Sequence, residues 1–388
     1  MDVTGNRPPA GIYLHWPFCE RKCPYCDFYT FGRDHHASLR RENYAEALAE
    51  EIRSAPGRLG PAARSPIDTI YFGGGTPSLM DTAALERLME AIGEVFSILP
   101  GAEITLEVNP TAAEASRVGE WIAAGINRFS IGCQSFNDRV LSALGRVHDA
   151  ATARSSLDAM RRGGAQNISI DLIVGAPTQS PADLAADLDE LAELAPEHVS
   201  AYDLTIHEGT PLARLRHQGR LALPPERDQA AMFELIIDRL AAAGFEHYEV
   251  SNWARPGRRS RHNSKYWRDA DVLGFGVSAH GVAGGRRFVN PADLEEYLQP
   301  ESRRLAIPSD LPAGQRARHG EIMMLALRRV GGVGWDELEA WLGDDARALY
   351  GPELDRLAGE GLIEDPAAGL RLTRRGILLS DSVAVRCF

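Results

Sequence analysis

The stretch Cys19-Glu20-Arg21-Lys22-Cys23-Pro24-Tyr25-Cys26 carries three cysteines at the spacing C-x3-C-x2-C. It follows the apolar run Ile12-Tyr13-Leu14-His15-Trp16, which predicts a short buried strand. The cysteines therefore lie on the loop that leaves this strand, near enough to one another to bind one inorganic centre. A structural zinc site is closed by four ligands, whereas a four-iron cluster held by three thiolates keeps one iron open to another molecule.

Two other interpretations of these cysteines stay open at this point. His15 would complete a Cys3His zinc site, or the three thiols would simply be free. The remaining cysteines, Cys133 and Cys387, are isolated, and we interpret them as non-ligands. Because this is not a disulfide framework, it indicates a reducing compartment, and we expect a cytoplasmic location.

The composition excludes several classes of protein. The chain has 388 residues, 44% of them hydrophobic, with a formal net charge of −12 and no long basic run. We therefore expect a sizeable core and no nucleic-acid partner. No apolar run is long enough to span a bilayer, and Met1 to Ala10 has no apolar core of a signal peptide. We expect no integral membrane segment.

Strand and helix patterns alternate about six times in the first half of the chain, with short turn-rich connections. The predicted strands are Ile12–Trp16, Thr69–Phe72, Glu103–Val108, Arg128–Gly132, Asn167–Val174 and His198–Leu204. The predicted helices are Glu42–Ser54, Thr82–Phe96, Ala112–Ala124, Asp138–Arg162 with a break near Gly145, and Pro181–Leu194. This alternation predicts an α/β fold of parallel strands with helices outside. Periodicity alone does not distinguish an open doubly wound sheet from a barrel.

Polar residues and glycines stand at the ends of several predicted strands. Gly73-Gly74-Gly75-Thr76-Pro77 follows one strand directly, and we expect its N–H groups to bind a carboxylate or an amino-acid headgroup. Glu107, Gln134 and Asp171 also lie at or near strand ends. A barrel gathers such ends on one face, where active sites form.

Glu107 and Asp171 each also have an interpretation that involves no ligand. Glu107 would face the barrel mouth and accept hydrogen bonds from ribose hydroxyls or an ammonium group, or it would point outward into solvent. Asp171 interrupts an apolar strand, where a lone carboxylate is costly unless it is paired or bound to a ligand. Pairing with Arg146 is the alternative to a ligand.

The strand–helix pattern changes from about Pro224. A helix, Glu226–Ala243, and a strand-like stretch, His247–Val250, precede a segment predicted to be irregular from Ser251 to Phe288. Further helices are predicted at Gly320–Arg329, Trp335–Leu342 and Glu353–Ala358, followed by a hairpin over Leu362–Leu372. Three helices and a hairpin predict a winged-helix-like α+β module, which we interpret as a structural cap because its basic residues form no stripe.

The order of these motifs resembles the radical S-adenosylmethionine (SAM) superfamily, and within it the oxygen-independent coproporphyrinogen oxidases and their relatives. The resemblance covers about residues 11 to 380. It is carried by Tyr13-x-His15-x-Pro17-Phe18-Cys19, Gly73–Pro77, Gln134-Ser135-Phe136, Gly145-Arg146-Val147-His148, Asp171-Leu172-Ile173 and Gly209-Thr210-Pro211-Leu212.

The resemblance implies a partial (β/α)6 TIM-like barrel of radical SAM type. It implies a [4Fe–4S] cluster on Cys19, Cys23 and Cys26, whose open iron takes the amino and carboxylate groups of SAM. The SAM-contacting positions it carries over are Tyr13, Gly74, Gly75, Thr76, Glu107, Gln134, Arg146 and Asp171.

Two features separate the branches of this family. Phe28 stands where the oxidases carry a further cysteine, and Arg261–Trp267 contains H-N-x-x-Y-W. Both features resemble the HemW family of radical SAM haem chaperones, whose cargo is haem. We therefore favour a haem chaperone over a coproporphyrinogen III oxidase, which makes protoporphyrinogen IX. His207-Glu208 departs from the family, where Glu-Pro is usual before Gly209.

The haem candidate is His262, with Asn263, Tyr266 and Trp267 around it. His207 and His280 compete as ligands, and the residues alone equally support His262 as a structural histidine. The implied partners are haem-accepting proteins such as respiratory haem proteins, and peripheral membrane contact and a homodimer are compatible with this. We divide the chain into a tail (1–10), the barrel (11–215), a connecting region with the HNxxYW motif (216–311) and the winged-helix-like domain (312–388).

Overall fold

The computed structural model describes residues 8–32, 38–268, 270–301, 307–308 and 315–387, so the predicted tail lies mostly outside the described residues. The first six strands are β1 (Ala10–Trp16), β2 (Ile67–Gly74), β3 (Ile98–Val108), β4 (Arg128–Gln134), β5 (Ile168–Val174) and β6 (His198–Asp203). They pair in chain order and all in parallel. The predicted α/β class and its six parallel strands are confirmed.

Helices connect these strands as the alternation predicted. They are α1 (Ser38–Leu59), α2 (Thr82–Val95), α3 (Ala112–Ala115), α4 (Val118–Ala123), α5 (Asp138–Ala143), α6 (Ala150–Arg162), α7 (Pro181–Leu194), α8 (Pro211–His217) and α9 (Glu226–Ala242). The break predicted near Gly145 is confirmed, since this glycine has φ +67° between α5 and α6. The single helix predicted over Ala112–Ala124 is wrong, because it is divided at Ser116–Arg117.

The connecting region adds strands to both edges of the sheet. Its elements are β7 (Glu246–Glu249), β8 (Asn252–Ala254), α10 (Arg261–Tyr266), β9 (Val272–Phe275), β10 (His280–Ala283), β11 (Arg286–Val289), α11 (Leu294–Leu298) and β12 (Ile307–Pro308). Strand β9 pairs in parallel with β1, and β8 pairs antiparallel with β6. The irregular segment predicted over Ser251–Phe288 is therefore wrong, because strands of three or four residues are too short to show a period.

The sheet is curved into part of a barrel. Within the described residues its order is β12-β11-β10-β9-β1-β2-β3-β4-β5-β6-β8-β7. Side chains from β2 to β6, namely Tyr71, Glu107, Ser130, Asp171 and Ser200, line one cavity, which a flat open sheet would not allow. Apolar residues of the same strands, such as Ile70, Leu106 and Leu172, are buried in the core beneath the helices.

The C-terminal module consists mainly of short helices. They are α12 (Gln315–Leu327), α13 (Trp335–Leu342), α14 (Ala346–Gly359), α15 (Arg374–Leu378) and α16 (Ser380–Val385). In the predicted hairpin, a single bridge joins Ile363 and Leu372, while β14 (Gly369–Leu370) pairs with β13 (Val333–Gly334). Of the helices that the structure describes, none has both the length and the apolar character needed to cross a membrane.

Candidate functional site

A cavity of about 490 Å³ opens at the carboxyl ends of the parallel strands. Its lining includes the three clustered cysteines, the glycine turn and polar side chains from β2 to β6. Parallel strands bring these ends together at one edge, which explains why residues far apart in sequence meet here. Of the predicted site residues, these line the cavity: Cys19, Cys23, Cys26, Gly74, Gly75, Thr76, Glu107, Gln134, Arg146, Asp171 and Asn263.

The cysteine loop is fixed by its own main chain. The N–H of Cys19 donates to the carbonyl of Phe31 at 2.8 Å, and that of Phe31 donates to Pro17 at 2.8 Å. The N–H of Cys26 donates to the carbonyl of Cys23 at 3.1 Å, which closes a tight turn. The three thiols, none in a disulfide, are thus presented from an ordered loop.

Three other motifs clamp this loop. The N–H groups of Gly75 and Thr76 donate to the carbonyls of Trp16 and Phe18 at 2.8 and 2.9 Å. The N–H of Leu212 donates to the carbonyl of Pro24 at 3.0 Å. A side chain at Gly145 would lie 2.7 Å from Cδ of Pro24. The glycine turn, the Gly145–His148 stretch and the Gly209–Leu212 stretch therefore share one physical role, which is to hold the cysteine loop.

The glycines allow this close contact. A Cβ on Gly75 would lie 2.8 Å from the carbonyl oxygen of Trp16, and Gly74 has φ +108°. The N–H of Gly74 donates to Oε2 of Glu107 at 3.1 Å. The N–H groups of Gly74, Gly75 and Thr76 thus all have acceptors in the protein. The prediction that they bind a ligand headgroup is wrong, and main-chain contact with a ligand from this turn would use carbonyl oxygens.

The thiols are held in a poorly solvated setting. Burial raises the pKa of Cys19 to about 11, although a hydrogen bond with Thr76 opposes the shift. Burial also raises the pKa of Cys26. Nη1 of Arg146 lies 3.4 Å from Sγ of Cys23 and places a positive charge beside that sulfur. In the chain without a metal centre, Cys19 and Cys26 are protonated, so metal binding must release their protons.

Three thiols line one cavity, which is the kind of donor set that holds an iron–sulfur cluster. In the described ranges, no three His, Cys, Asp or Glu side chains are placed to hold one metal ion together. An iron–sulfur cluster makes a different demand, because each thiolate binds a different iron. His15 is poorly suited to complete a zinc site, since its Nδ1 is 3.0 Å from the Tyr13 hydroxyl and its Nε2 is 2.9 Å from the carbonyl of Tyr29.

Glu107 projects from β3 into the cavity and is not a solvated surface residue. The Tyr71 hydroxyl donates to its Oε1 at 2.9 Å, and the N–H of Gly74 donates to its Oε2. Burial raises the pKa of Glu107 to about 7, and the Tyr71 hydrogen bond opposes the shift. This carboxyl can therefore change its charge near neutral pH, and a bound cation would favour the ionised form.

Asp171 is held by serines and not by Arg146. The Ser130 hydroxyl lies 3.0 Å from Oδ2, and the Ser169 hydroxyl lies 3.2 Å from Oδ1. Burial raises the pKa of Asp171, with hydrogen bonds from Ser200 and Ser130 opposing the shift. The alternative of an Arg146–Asp171 pair is wrong, because Nη2 of Arg146 donates to Asn109 Oδ1 and to the Gly132 carbonyl, each at 2.9 Å.

Gln134 and Tyr13 differ in their relation to the cavity. Gln134 ends β4 with φ +68°, an uncommon conformation for a side-chain-bearing residue, and lines the cavity. Tyr13 is not among the lining residues. Its ring stacks on Tyr71 at 6.2 Å, and its hydroxyl reaches His15. Tyr13 therefore supports the site from behind.

The predicted haem residues lie mainly beneath the cavity. His262 is 1% exposed, with Nδ1 3.0 Å from the Thr69 hydroxyl and Nε2 3.1 Å from the Tyr266 hydroxyl. Burial lowers the pKa of His262 to about 3. Trp267 packs against Arg328. Of the four candidates, Asn263 lines the cavity and His262, Tyr266 and Trp267 do not.

Among the site residues that sequence reasoning missed are the serines that hold Asp171 and two residues that order other predicted side chains. Tyr71 orders Glu107, and Asn109 orders Arg146. Both carried a signal, since Tyr71 lies two residues before Gly73 on the same strand and Asn109 directly follows Val108 at a strand end. In a parallel sheet, alternate residues share a face, so Tyr71 and Gly73 point to the same side.

Comparison with known proteins agrees with this geometry. The Radical SAM superfamily model matches residues 13–216, and the HemN C-terminal domain model matches residues 315–379. Heme chaperone HemW of Mycobacterium tuberculosis is 35% identical over 388 residues, covering 99% of this chain and 97% of that protein. Heme chaperone HemW of Bacillus subtilis is 33% identical over 373 residues, covering 96% and 97%.

A solved structure shares the fold. Coproporphyrinogen III oxidase (HemN) from Escherichia coli, described as a radical SAM enzyme, matches with a TM-score of 0.80 at 24% sequence identity. The match covers 98% of this chain and 90% of that chain. The partial barrel and the C-terminal module are thus arranged as in that protein. By its superfamily match and its near full-length similarity to these relatives, the chain belongs to the HemW family of the radical SAM superfamily.

Proposed function

We propose that this protein is a haem chaperone that binds a [4Fe–4S] cluster, SAM and haem, and delivers haem to acceptor proteins such as respiratory haem proteins. The observation that carries the proposal is the near full-length similarity to proteins named heme chaperone HemW. Phe28, at the position where the oxidases have a further cysteine, favours the chaperone over an oxidase. The proposal places the protein in the cytoplasm, with no nucleic-acid partner.

Cys19, Cys23 and Cys26 would hold the cluster. When bound, the cluster supplies one electron for cleavage of a carbon–sulfur bond of SAM. The chain's own part is to present three thiols from a clamped loop and to place the Arg146 guanidinium beside Cys23. A guanidinium at this distance would attract the negative charge of a thiolate ligand of the cluster.

SAM would occupy the remaining cavity. Glu107 and Asp171 place two carboxylates there, and SAM carries an ammonium and a sulfonium charge that such groups attract. Gly74, Gly75 and Thr76 would contribute carbonyl oxygens, and Gln134 and Arg146 would contribute polar side-chain atoms. Tyr13 would act through Tyr71 and His15. The haem role predicted for His262, Asn263, Tyr266 and Trp267 stays a prediction, and cavity access supports Asn263 among them.

A transfer assay tests the function. Anaerobically reconstituted protein is loaded with haem and mixed with an acceptor apoprotein whose haem-bound spectrum is distinct. We expect haem to pass to the acceptor faster than it does from serum albumin loaded with haem. A parallel sample receives coproporphyrinogen III, SAM and a reductant. Formation of protoporphyrinogen IX, with no haem transfer, would establish the oxidase and overturn the chaperone.

A further inference from the structure

Three exposed apolar side chains surround the mouth of the cavity. Phe28, Val147 and Tyr202 are 62%, 48% and 45% exposed, and all three line the cavity. They come from the cysteine loop, from the segment after α5 and from the end of β6. Exposed apolar residues gathered around a cavity mark a binding surface, so the mouth is suited to a ligand with an apolar face.

A histidine and a carboxylate lie on the same mouth. Nδ1 of His207 is 3.2 Å from Oδ2 of Asp27, and the two side chains are 46% and 45% exposed. Both residues line the cavity, and Asp27 directly precedes Phe28. A histidine that binds a metal through one ring nitrogen commonly donates its other N–H to a carboxylate, which fixes the ring. The pair therefore has the form of a metal-binding histidine whose Nδ1 is held by a carboxylate.

Two cations complete the surface. Arg21 and Lys22 are exposed residues of the cysteine loop and line the cavity. Nζ of Lys22 donates to the carbonyl of Phe28 at 2.9 Å, which holds this charge beside the exposed ring. The mouth thus combines an apolar surface, an imidazole and two positive charges with the carboxylates of Glu20, Asp27 and Asp203. An iron porphyrin has the matching parts, namely apolar faces, a central metal and peripheral carboxylates.

The size of the cavity sets where such a ligand would lie. A volume of about 490 Å³ is in the range of a pocket for one small molecule. Under the proposed function, the cluster and SAM use this space. A flat macrocycle would then cover the mouth and would not enter the cavity.

We propose that the haem cargo binds across the mouth of the cavity, with His207 Nε2 as an iron ligand oriented by Asp27. Phe28 and Tyr202 contact the apolar face of the macrocycle, and Arg21 and Lys22 meet its propionates. The inference rests on the proposed function and assigns the iron ligand to a residue outside the H-N-x-x-Y-W motif.

The test is an anaerobic haem titration of cluster-loaded protein, in which haem binding is monitored by the Soret absorbance. We expect His207→Ala to shift the Soret band and weaken haem binding about a hundred-fold, and Asp27→Asn to weaken it about ten-fold. Added imidazole should restore the Soret position of His207→Ala. His217→Ala is the matched control, because His217 also pairs with a carboxylate, Glu208, at 3.0 Å but does not line the cavity.

The outcomes separate the inference from the function. Cluster absorbance must persist in each variant, which shows that the fold and the cysteine loop are intact. If His207→Ala binds haem with wild-type affinity and spectrum, the inference is overturned, and the same titration of His262→Ala and His280→Ala locates the ligand. If the wild-type protein itself binds no haem, the proposed function fails and the inference fails with it.

Discussion

The mouth of the cavity, with Asp27, Phe28, Tyr202 and His207, and its floor, with His262, Tyr266 and Trp267, each contain a histidine near aromatic side chains. The two histidines differ in how many of their ring nitrogens already have hydrogen-bond partners. In the floor, both ring nitrogens of His262 have hydroxyl partners, and the side chain is almost fully buried. At the mouth, His207 uses Nδ1 for Asp27 and remains about half exposed. The comparison teaches that a histidine in a recognisable motif is available to a ligand only where hydrogen bonding has not already used its nitrogens.

The floor still contributes to the site. The ring of His262 lies 5.1 Å from that of Tyr71, and the Tyr71 hydroxyl donates to Glu107. The main-chain N–H of His262 also donates to Glu103 at 3.0 Å, which anchors the short helix α10 to β3. His262 thus supports a cavity-lining carboxylate through Tyr71. The haem role predicted for the H-N-x-x-Y-W stretch and the haem site proposed at the mouth both stay predictions.

The largest expected effect is the loss of the cluster signals when a cysteine of the cavity wall is replaced. Replacing Cys19, Cys23 or Cys26 by Ala removes one ligand of the cluster, and we expect the charge-transfer absorbance and the electron paramagnetic resonance signal of the reduced, anaerobically reconstituted protein to disappear. Cys133→Ala and Cys387→Ala serve as controls, since both thiols are buried away from the cavity lining. An intact four-iron cluster in Cys23→Ala would defeat the assignment.

The second-largest effect is expected on the stability of the fold, where a substitution in the floor should matter and one of an exposed histidine should not. His262→Ala leaves the hydroxyls of Thr69 and Tyr266 without their partner, and each buried unsatisfied group costs roughly 1–3 kcal/mol. We expect a clear fall in the urea midpoint for His262→Ala and none for His217→Ala, whose ring is exposed. A wild-type urea midpoint together with a complete loss of haem binding would show that His262 is a ligand and not a structural residue.

A smaller effect is expected on SAM affinity. Asp171→Asn keeps the shape of the side chain and removes its charge, so we expect SAM to bind about ten- to a hundred-fold more weakly while the cluster remains. Isothermal titration measures the affinity. Asp187→Asn is the control, because Asp187 is also buried and bonded to a serine but does not line the cavity. Equal SAM affinity in Asp171→Asn and wild type would assign Asp171 a purely structural role.

The smallest effect concerns pH. Burial raises the pKa of Glu107 from 4.5 to about 7, so the folded chain keeps a proton that the unfolded chain has lost. The stability from this proton is complete below pH 4.5 and disappears as the pH rises through about 7. We expect the thermal midpoint of the ligand-free protein to fall more between about pH 5 and pH 8 than that of Glu107→Gln. Parallel curves for the two proteins would contradict the raised pKa.

The sequence predicted the parts of the molecule that follow from local patterns. The six parallel strands, the break at Gly145 and the position of the cysteine loop came from periodicity and spacing. What it could not give were partners set by the tertiary fold. The pairing of Asp171 with serines, and of Arg146 with Asn109, depends on which neighbouring strands meet. The acceptors of the glycine N–H groups depend on how closely the cysteine loop lies against the turn.

The clamping of the cysteine loop has a consequence for maintenance of the protein in the cell. Main-chain hydrogen bonds from the glycine turn and from Leu212 hold the loop at Trp16, Phe18 and Pro24 through protein atoms alone. If the proposed cluster is lost to oxygen, these bonds would keep the main chain of the loop in place. We therefore expect iron, sulfide and a reductant to restore the cluster without unfolding and refolding of the chain.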